Sequence, residues 1–169
     1  CGGDFDSRIS RAVRDVSIKT GLSPVIVPMQ GGEDRALCER ICALSVGSAY
    51  TAPFSDADSI AALFAGAAFT VGMRLHSIIY SACVGTPVLA VSYDPKIDAA
   101  CAYLGLPAPL SAFTVTSEEM LASLPELSES VPRERIAYLR GLCEEDCRRI
   151  IGAVREERIS DKEKARRHG

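Results

Sequence analysis

The stretch Phe69–Lys96, FTVGMRLHSIIYSACVGTPVLAVSYDPK, decides how the rest of the chain is read. An aromatic and β-branched run stops at Gly72 and Met73, and a helical pattern follows that Gly85 closes. The chain returns as a second apolar run, TPVLAVSY (86–93), and a further helix starts with Asp94 as N-cap and Pro95 at its first position. Both runs are apolar throughout, without in–out alternation. Strands of that kind separated by helices belong to a parallel sheet covered on both faces.

The alternation extends in both directions. SPVIVPM (23–29), SAYTAPF (48–54) and LSAFTVT (110–116) read as further strands. GGEDRALCERICALS (31–45) reads as a helix with Glu33 and Asp34 in an acidic first turn. SDADSIAALFAGA (55–67) has Ser55 or Asp56 as cap, and SEEMLASLPEL (117–127) has Ser117 as cap and Glu118 and Glu119 in its first turn. The first helix, Ser7–Thr20, follows a Gly-Gly turn with no strand before it. The last, 132–158, carries an apolar stripe at Ile136, Leu139, Cys143, Cys147, Ile150, Ile151 and Val154. The expectation is an α/β, doubly wound, mostly parallel, Rossmann-like sheet. It forms a single domain over residues 1–169 and ends in a charged, frayed tail at 156–169.

Composition narrows the function. At 169 residues and 47% apolar content the chain can bury a core, and a net charge of −3 does not suit a nucleic-acid binder. No apolar run is long enough to cross a bilayer, and no signal peptide opens the sequence. Seven cysteines, an odd number, read as free thiols in a reducing, cytoplasmic setting. Cys38 with Cys42, and Cys143 with Cys147, share helical faces as small buried residues. Their spacing does not suit zinc, and no metal is expected.

In a sheet of this type ligands bind beyond the carboxyl ends of the strands, where loops feed helix N-termini. The first such end gives Pro28, Met29 and Gln30, and the second, Thr51 to Phe54, has no ionisable group. Arg74 and His76 stand at the third; Ser92, Tyr93, Asp94 and Lys96 at the fourth. A cation in the first turn of a helix opposes the helix dipole unless an anion lies between them. Arg74 therefore marks either a fork for phosphate or carboxylate, or an arginine bridged to a nearby acid. His76 is either a general acid or base, or a histidine bonded to a carbonyl. Lys96 is either drawn to the same anion or simply solvated. Gly72 allows close approach of a ligand to the backbone. Dinucleotide, P-loop and nucleophile-elbow signatures are absent.

The run VGMRLHSIIYSACVGTPVLAVSYDPKI resembles the signature of the polysaccharide pyruvyltransferase family, CsaB type, and VIVPMQGGED resembles an upstream strand of that family with its P-M and downstream acid. The similarity spans about Ser10 to Pro125. The resemblance implies a two-domain enzyme like the GT-B glycosyltransferases, of which this chain is the C-terminal half and the N-terminal domain is missing. It also implies transfer of pyruvate from phosphoenolpyruvate to a sugar of a cell-wall or surface polysaccharide precursor, as a ketal. Phosphoenolpyruvate is the donor substrate and no cofactor is needed. Carried over, Arg74 and His76 are catalytic; Gly72, Met73, Arg74, Leu75, His76, Ser77, Tyr93, Lys96 and Gln30 bind substrate. The acceptor contacts fall on the missing half, so the isolated chain is expected to be inactive. A lipid-linked acceptor would draw the enzyme to the inner membrane face. Two alternatives stand beside this: a GT-B-like half binding a nucleotide-sugar, and a non-catalytic Rossmann-like module.

Overall fold

The computed structural model describes residues 2–45, 47, 49–53, 56–124 and 133–167. It contains two compact units, residues 1–131 and 132–169. In the first, helices and strands alternate: α1 (Gly2–Thr20), β1 (Val25–Ile26), α2 (Gly31–Leu44), β2 (Tyr50–Thr51), α3 (Ala57–Ala65), β3 (Thr70–Gly72), α4 (Leu75–Val84), β4 (Val88–Ser92), α5 (Pro95–Leu104), β5 (Leu110–Ser111) and α6 (Ser117–Ser123). All strand pairs are parallel, in two open patches: β1 with β2, and β3–β4–β5 in that order. This is the expected Rossmann-like α/β arrangement.

The core is centred on β4, whose residues Val88 to Val91 are all buried. Successive strand side chains point to opposite faces. Leu89 and Val91 pack with Ile9 and Ala12 of α1, Ile41 of α2 and Met120 of α6. Val88 and Ala90 take the other face. The crossovers β3–α4–β4 and β4–α5–β5 step the same way along the sheet, and α4 and α5 pack against each other. Ile78 of α4 and Ile97 of α5 are fully buried, each worth about 1.5–3 kcal/mol by the apolar area removed from water. Gly85 and Gly105 end these two helices in the left-handed conformation, at φ 82° and 73°.

The outer strands are shorter than their sequence pattern suggests. β1 is confined between Pro24 and Pro28, which have no N–H to extend a ladder. β5 stops at Ser111 because the chain turns there: Thr114 N and Val115 N both donate to the Ser111 carbonyl, at 3.2 and 2.8 Å. The following helix is capped by Thr116, one residue before the expected Ser117. Thr116 Oγ1 accepts from Glu119 N while the Glu119 carboxylate accepts from Thr116 N, a reciprocal capping box. Ser117 instead donates to Asp15 of α1, at 2.8 Å. Asp56 caps α3, accepting from Ser59 N at 2.9 Å. Helix α1 begins at Gly2, not Ser7. Phe54, Ser55, residues 125–132 and His168 fall outside the described residues.

The cysteines divide. Cys38 and Cys101 are buried as expected, but Cys83, Cys143 and Cys147 are exposed. Burial, reinforced by the Asp34 carboxylate, pushes the Cys38 thiol up to about 11, which leaves it protonated and inert as a nucleophile at neutral pH. In the second unit, α7 (Arg133–Arg167) is one helix that takes in the charged stretch from residue 156. Ile150, Ile151 and Val154 of its stripe are exposed, and the Arg135 guanidinium lies 5.5 Å over the Tyr138 ring. Among the described residues no helix is long and apolar enough to cross a membrane.

Candidate functional site

Strands β3 and β4 are hydrogen-bonded neighbours, with Gly72 opposite Ala90, so their carboxyl ends open side by side. Arg74 is the N-cap of α4. Its backbone is extended, its side chain does not fold back to cap, and the first turn of α4 holds no acid. Nothing within its own segment therefore offsets the positive end of α4.

The Arg74 side chain reaches away from the helix. Nη2 donates to Asp34 Oδ1 at 2.5 Å, and Nη1 donates to the Tyr93 hydroxyl at 3.1 Å. The other Asp34 oxygen accepts from Met29 N and Gln30 N, at 3.2 and 2.9 Å. One hydrogen-bonded chain thus ties together the ends of β1, β3 and β4. Asp34 is only 11% exposed at its side chain and Arg74 36%, so the ion pair has a sheltered acid and a partly open cation. Its bond to Asp34 moves the guanidinium further above its already high ordinary value and fixes it as a permanent cation. Both sequence alternatives for Arg74 hold in part. It is bridged to an acid, and it still presents an edge to solvent at a helix N-terminus.

His76 is exposed on the first turn of α4, and its imidazole makes no hydrogen bond or ion pair with any described residue. The expectation of a carbonyl-bonded histidine is not met. Gly72 is buried, and its lack of a side chain serves α4 rather than an open backbone. A Cβ there would lie 2.9 Å from both Ile78 Cγ1 and Ser77 Oγ. Met73 packs against the core, Leu75 is half-buried, and Ser77 is buried with its hydroxyl donating to the Arg74 carbonyl at 2.6 Å. These three shape the turn from within.

Lys96 belongs to the neighbouring turn and is engaged there. Its Nζ lies 3.2 Å from Asp94 Oδ2, and its backbone N donates to Asp94 Oδ1 at 3.0 Å. That backbone N–H, with the ammonium adding to it, holds the Asp94 carboxyl below its ordinary value. Gln30 is the N-cap of α2 and enters the cluster through its backbone N–H. The structure thus joins Arg74 directly to Tyr93 and, through Asp34, to Gln30, puts His76 on the same helix start, and keeps Lys96 in a pair of its own.

Asp34, read from sequence as a first-turn acid and, with Glu33, as the acid downstream of P-M in the resemblance, was not named there as part of the site. A signal was present. Asp34, Leu37, Cys38 and Ile41 recur at helical spacing, so Asp34 stands on the inward face of α2, where a carboxylate needs partners. Among the described residues no group of three or more His, Cys, Asp or Glu is arranged to hold a metal ion.

The fold and this strand-end cluster define a Rossmann-like α/β domain with a cation clamp at a helix N-terminus. The profile of one family, Polysaccharide pyruvyl transferase, matches residues 3–95, from α1 through the β4–α5 turn. The chain belongs to that family of transferases. The chain is also similar to the amylovoran biosynthesis protein AmsJ of Erwinia amylovora, 31% identical over 106 residues. That alignment takes in 63% of this chain and 23% of AmsJ, so the chain spans less than a quarter of the relative's length. No solved structure matches the chain.

Proposed function

We propose that this chain is the donor-binding, C-terminal half of a two-domain pyruvyltransferase resembling the GT-B enzymes. It moves pyruvate from phosphoenolpyruvate to a sugar of a surface polysaccharide precursor. The observation that carries the reading is the Arg74 clamp: a guanidinium held between Asp34 and Tyr93 at the uncapped start of α4, with the unengaged His76 imidazole on the same turn. A carboxylate or phosphate suits the open edge of Arg74 and the helix N–H groups together.

The chemistry assigns the proton work to His76. Protonated, it gives a proton to the methylene carbon of phosphoenolpyruvate, leaving C2 electrophilic. A sugar hydroxyl adds its oxygen to C2 and returns its proton to the imidazole. The C2–O bond to phosphate then breaks with its electron pair on the leaving phosphate, and a second hydroxyl adds to C2 to close the cyclic ketal, its proton passing to the departing phosphate. Arg74 and the α4 N-terminus carry the negative charge of the donor through these steps. The reading puts Lys96 and Gln30 at the edge of the site, gives the enzyme a cytoplasmic address at the inner membrane face, and expects the isolated chain to be inactive.

The test is a calorimetric or NMR titration of the chain with phosphoenolpyruvate, with phosphate and UDP as competitors. Saturable binding that Arg74→Ala removes and UDP does not share supports the reading. Binding of UDP in its place sinks it in favour of a nucleotide-sugar enzyme.

A further inference from the structure

Beside the Arg74 clamp, at the carboxyl ends of β4 and β5, lies a groove of about 470 Å3 whose lining includes Ser92, Tyr93, Asp94, Asp98, Ser111 and Phe113. We propose that this groove is the subsite for a neutral sugar ring, the acceptor of the transfer. The proposal rests on the reaction proposed above. It puts part of the acceptor site on this chain, where the resemblance assigns acceptor contacts to the other half.

Charge selects the occupant. The groove presents the carboxylates of Asp94 and Asp98, and the nearby cation, Lys96, is already paired with Asp94. With that pair neutral, a phosphate or diphosphate placed there meets the uncompensated charge of Asp98. A polyol meets acceptors for its hydroxyl protons. Asp98 forms no ion pair among the described residues, and its Oδ2 accepts from the Ser92 hydroxyl at 2.6 Å, which leaves its other oxygen open to a ligand. A place in the first turn of α5 would account for an acid here through the helix dipole. It does not account for an acid coupled to a hydroxyl at the end of β4.

Shape selects it too. The Phe113 side chain is 71% exposed, yet the turn that carries it is well tied. Phe113 N donates to Ser111 Oγ at 3.3 Å, and Arg8 of α1 donates from Nη2 to the Ala112 carbonyl at 3.1 Å. A flat apolar ring kept in water on a fixed turn, facing carboxylate and hydroxyl acceptors, matches the two surfaces of a pyranose: its C–H face and its hydroxyl rim. Tyr93 joins the two sites. It lines the groove while its hydroxyl accepts from Arg74 Nη1, so a sugar held there lies beside the donor clamp, where a ketal must close.

The experiment is an NMR titration of the chain, followed by amide shifts and saturation transfer. The probes are methyl glucoside, methyl galactoside, methyl mannoside and N-acetylmannosamine, each to about 20 mM to reach the weak end of single-ligand affinity. UDP and phosphoenolpyruvate are separate arms. At least one sugar is expected to shift Ser111, Phe113 and Asp98 saturably. Phe113→Ala is expected to weaken it about tenfold or more, and Asp98→Asn to weaken it too, while phosphoenolpyruvate binding read at Leu75 and His76 is unchanged. No saturable sugar response, a response that survives both substitutions, or UDP occupying the groove in place of the sugars overturns the proposal. A sugar response without phosphoenolpyruvate binding breaks the donor reading alone; the reverse breaks this one alone.

Discussion

Two consecutive strand–helix turns, β3–α4 and β4–α5, solve the same problem in opposite ways. The second is closed on itself. Asp94 caps α5 through Lys96 N, Lys96 pairs back to Asp94, and Pro95 needs no partner for an N–H it lacks. The first turn has no side-chain cap, and its arginine is held by residues far along the chain, Asp34 forty positions away and Tyr93 nineteen. A turn that satisfies itself, its cation already paired, has little left over for an anion. A turn held from outside keeps its helix N-terminus open, and its cation is fixed by groups that a ligand need not displace.

The sharpest break of this contrast is Arg74→Ala. Removing the outward guanidinium is expected to lower phosphoenolpyruvate binding, or transfer by the full-length enzyme, by about 100-fold or more. Arg74→Lys should recover little of it, because a point charge cannot serve Asp34, Tyr93 and a ligand with one fork. Asp34→Ala comes next and acts on folding as well. It strips two backbone N–H groups and a half-sheltered arginine of their acceptor, an expected loss of about 2–4 kcal/mol in chemical denaturation. If Asp34→Ala leaves both stability and ligand affinity unchanged, the long-range turn is not held in the way described.

Gly72→Ala tests packing beneath the turn. The added methyl meets Ile78 and Ser77 at 2.9 Å, so α4 must shift, at a cost of about 1–3 kcal/mol. The smallest effect belongs to the self-contained turn. Asp94→Ala should lower Tm slightly and leave phosphoenolpyruvate binding intact. Because the folded state holds the Asp94 carboxyl below its ordinary value of 3.8, its contribution is fully present above that pH and fades as pH falls through the lower folded value. An acid titration of wild type against Asp94→Ala reads this as two Tm curves that converge at low pH.

The same contrast explains what could be read from the sequence. The β4–α5 turn was legible to the residue, since cap, proline and terminal glycine act within a few positions of one another. Arg74, His76 and Tyr93 were legible as strand-end chemistry because the parallel sheet dictates where such ends meet. Asp34 was legible as a first-turn acid and as an acid downstream of P-M, but not as the partner of Arg74, since that bond crosses from one strand patch to the other. The early end of β5 was hidden for a similar reason. LSAFTVT has strand composition, but Arg8 of α1 and a local turn take its backbone groups. Phe113 thereby becomes a rim residue instead of a core one.

That bond from Arg8 to the Ala112 carbonyl joins positions 104 residues apart, and Asp15 to Ser117 repeats the connection about two helix turns further on. Helix α1 is thus a staple across the ends of the first unit. Trimming it would not be a neutral operation. A shortened chain starting after Thr20 would bare Leu89, Val91 and Met120 and set loose the turn that carries Phe113, so it should aggregate before any change in ligand binding could be measured.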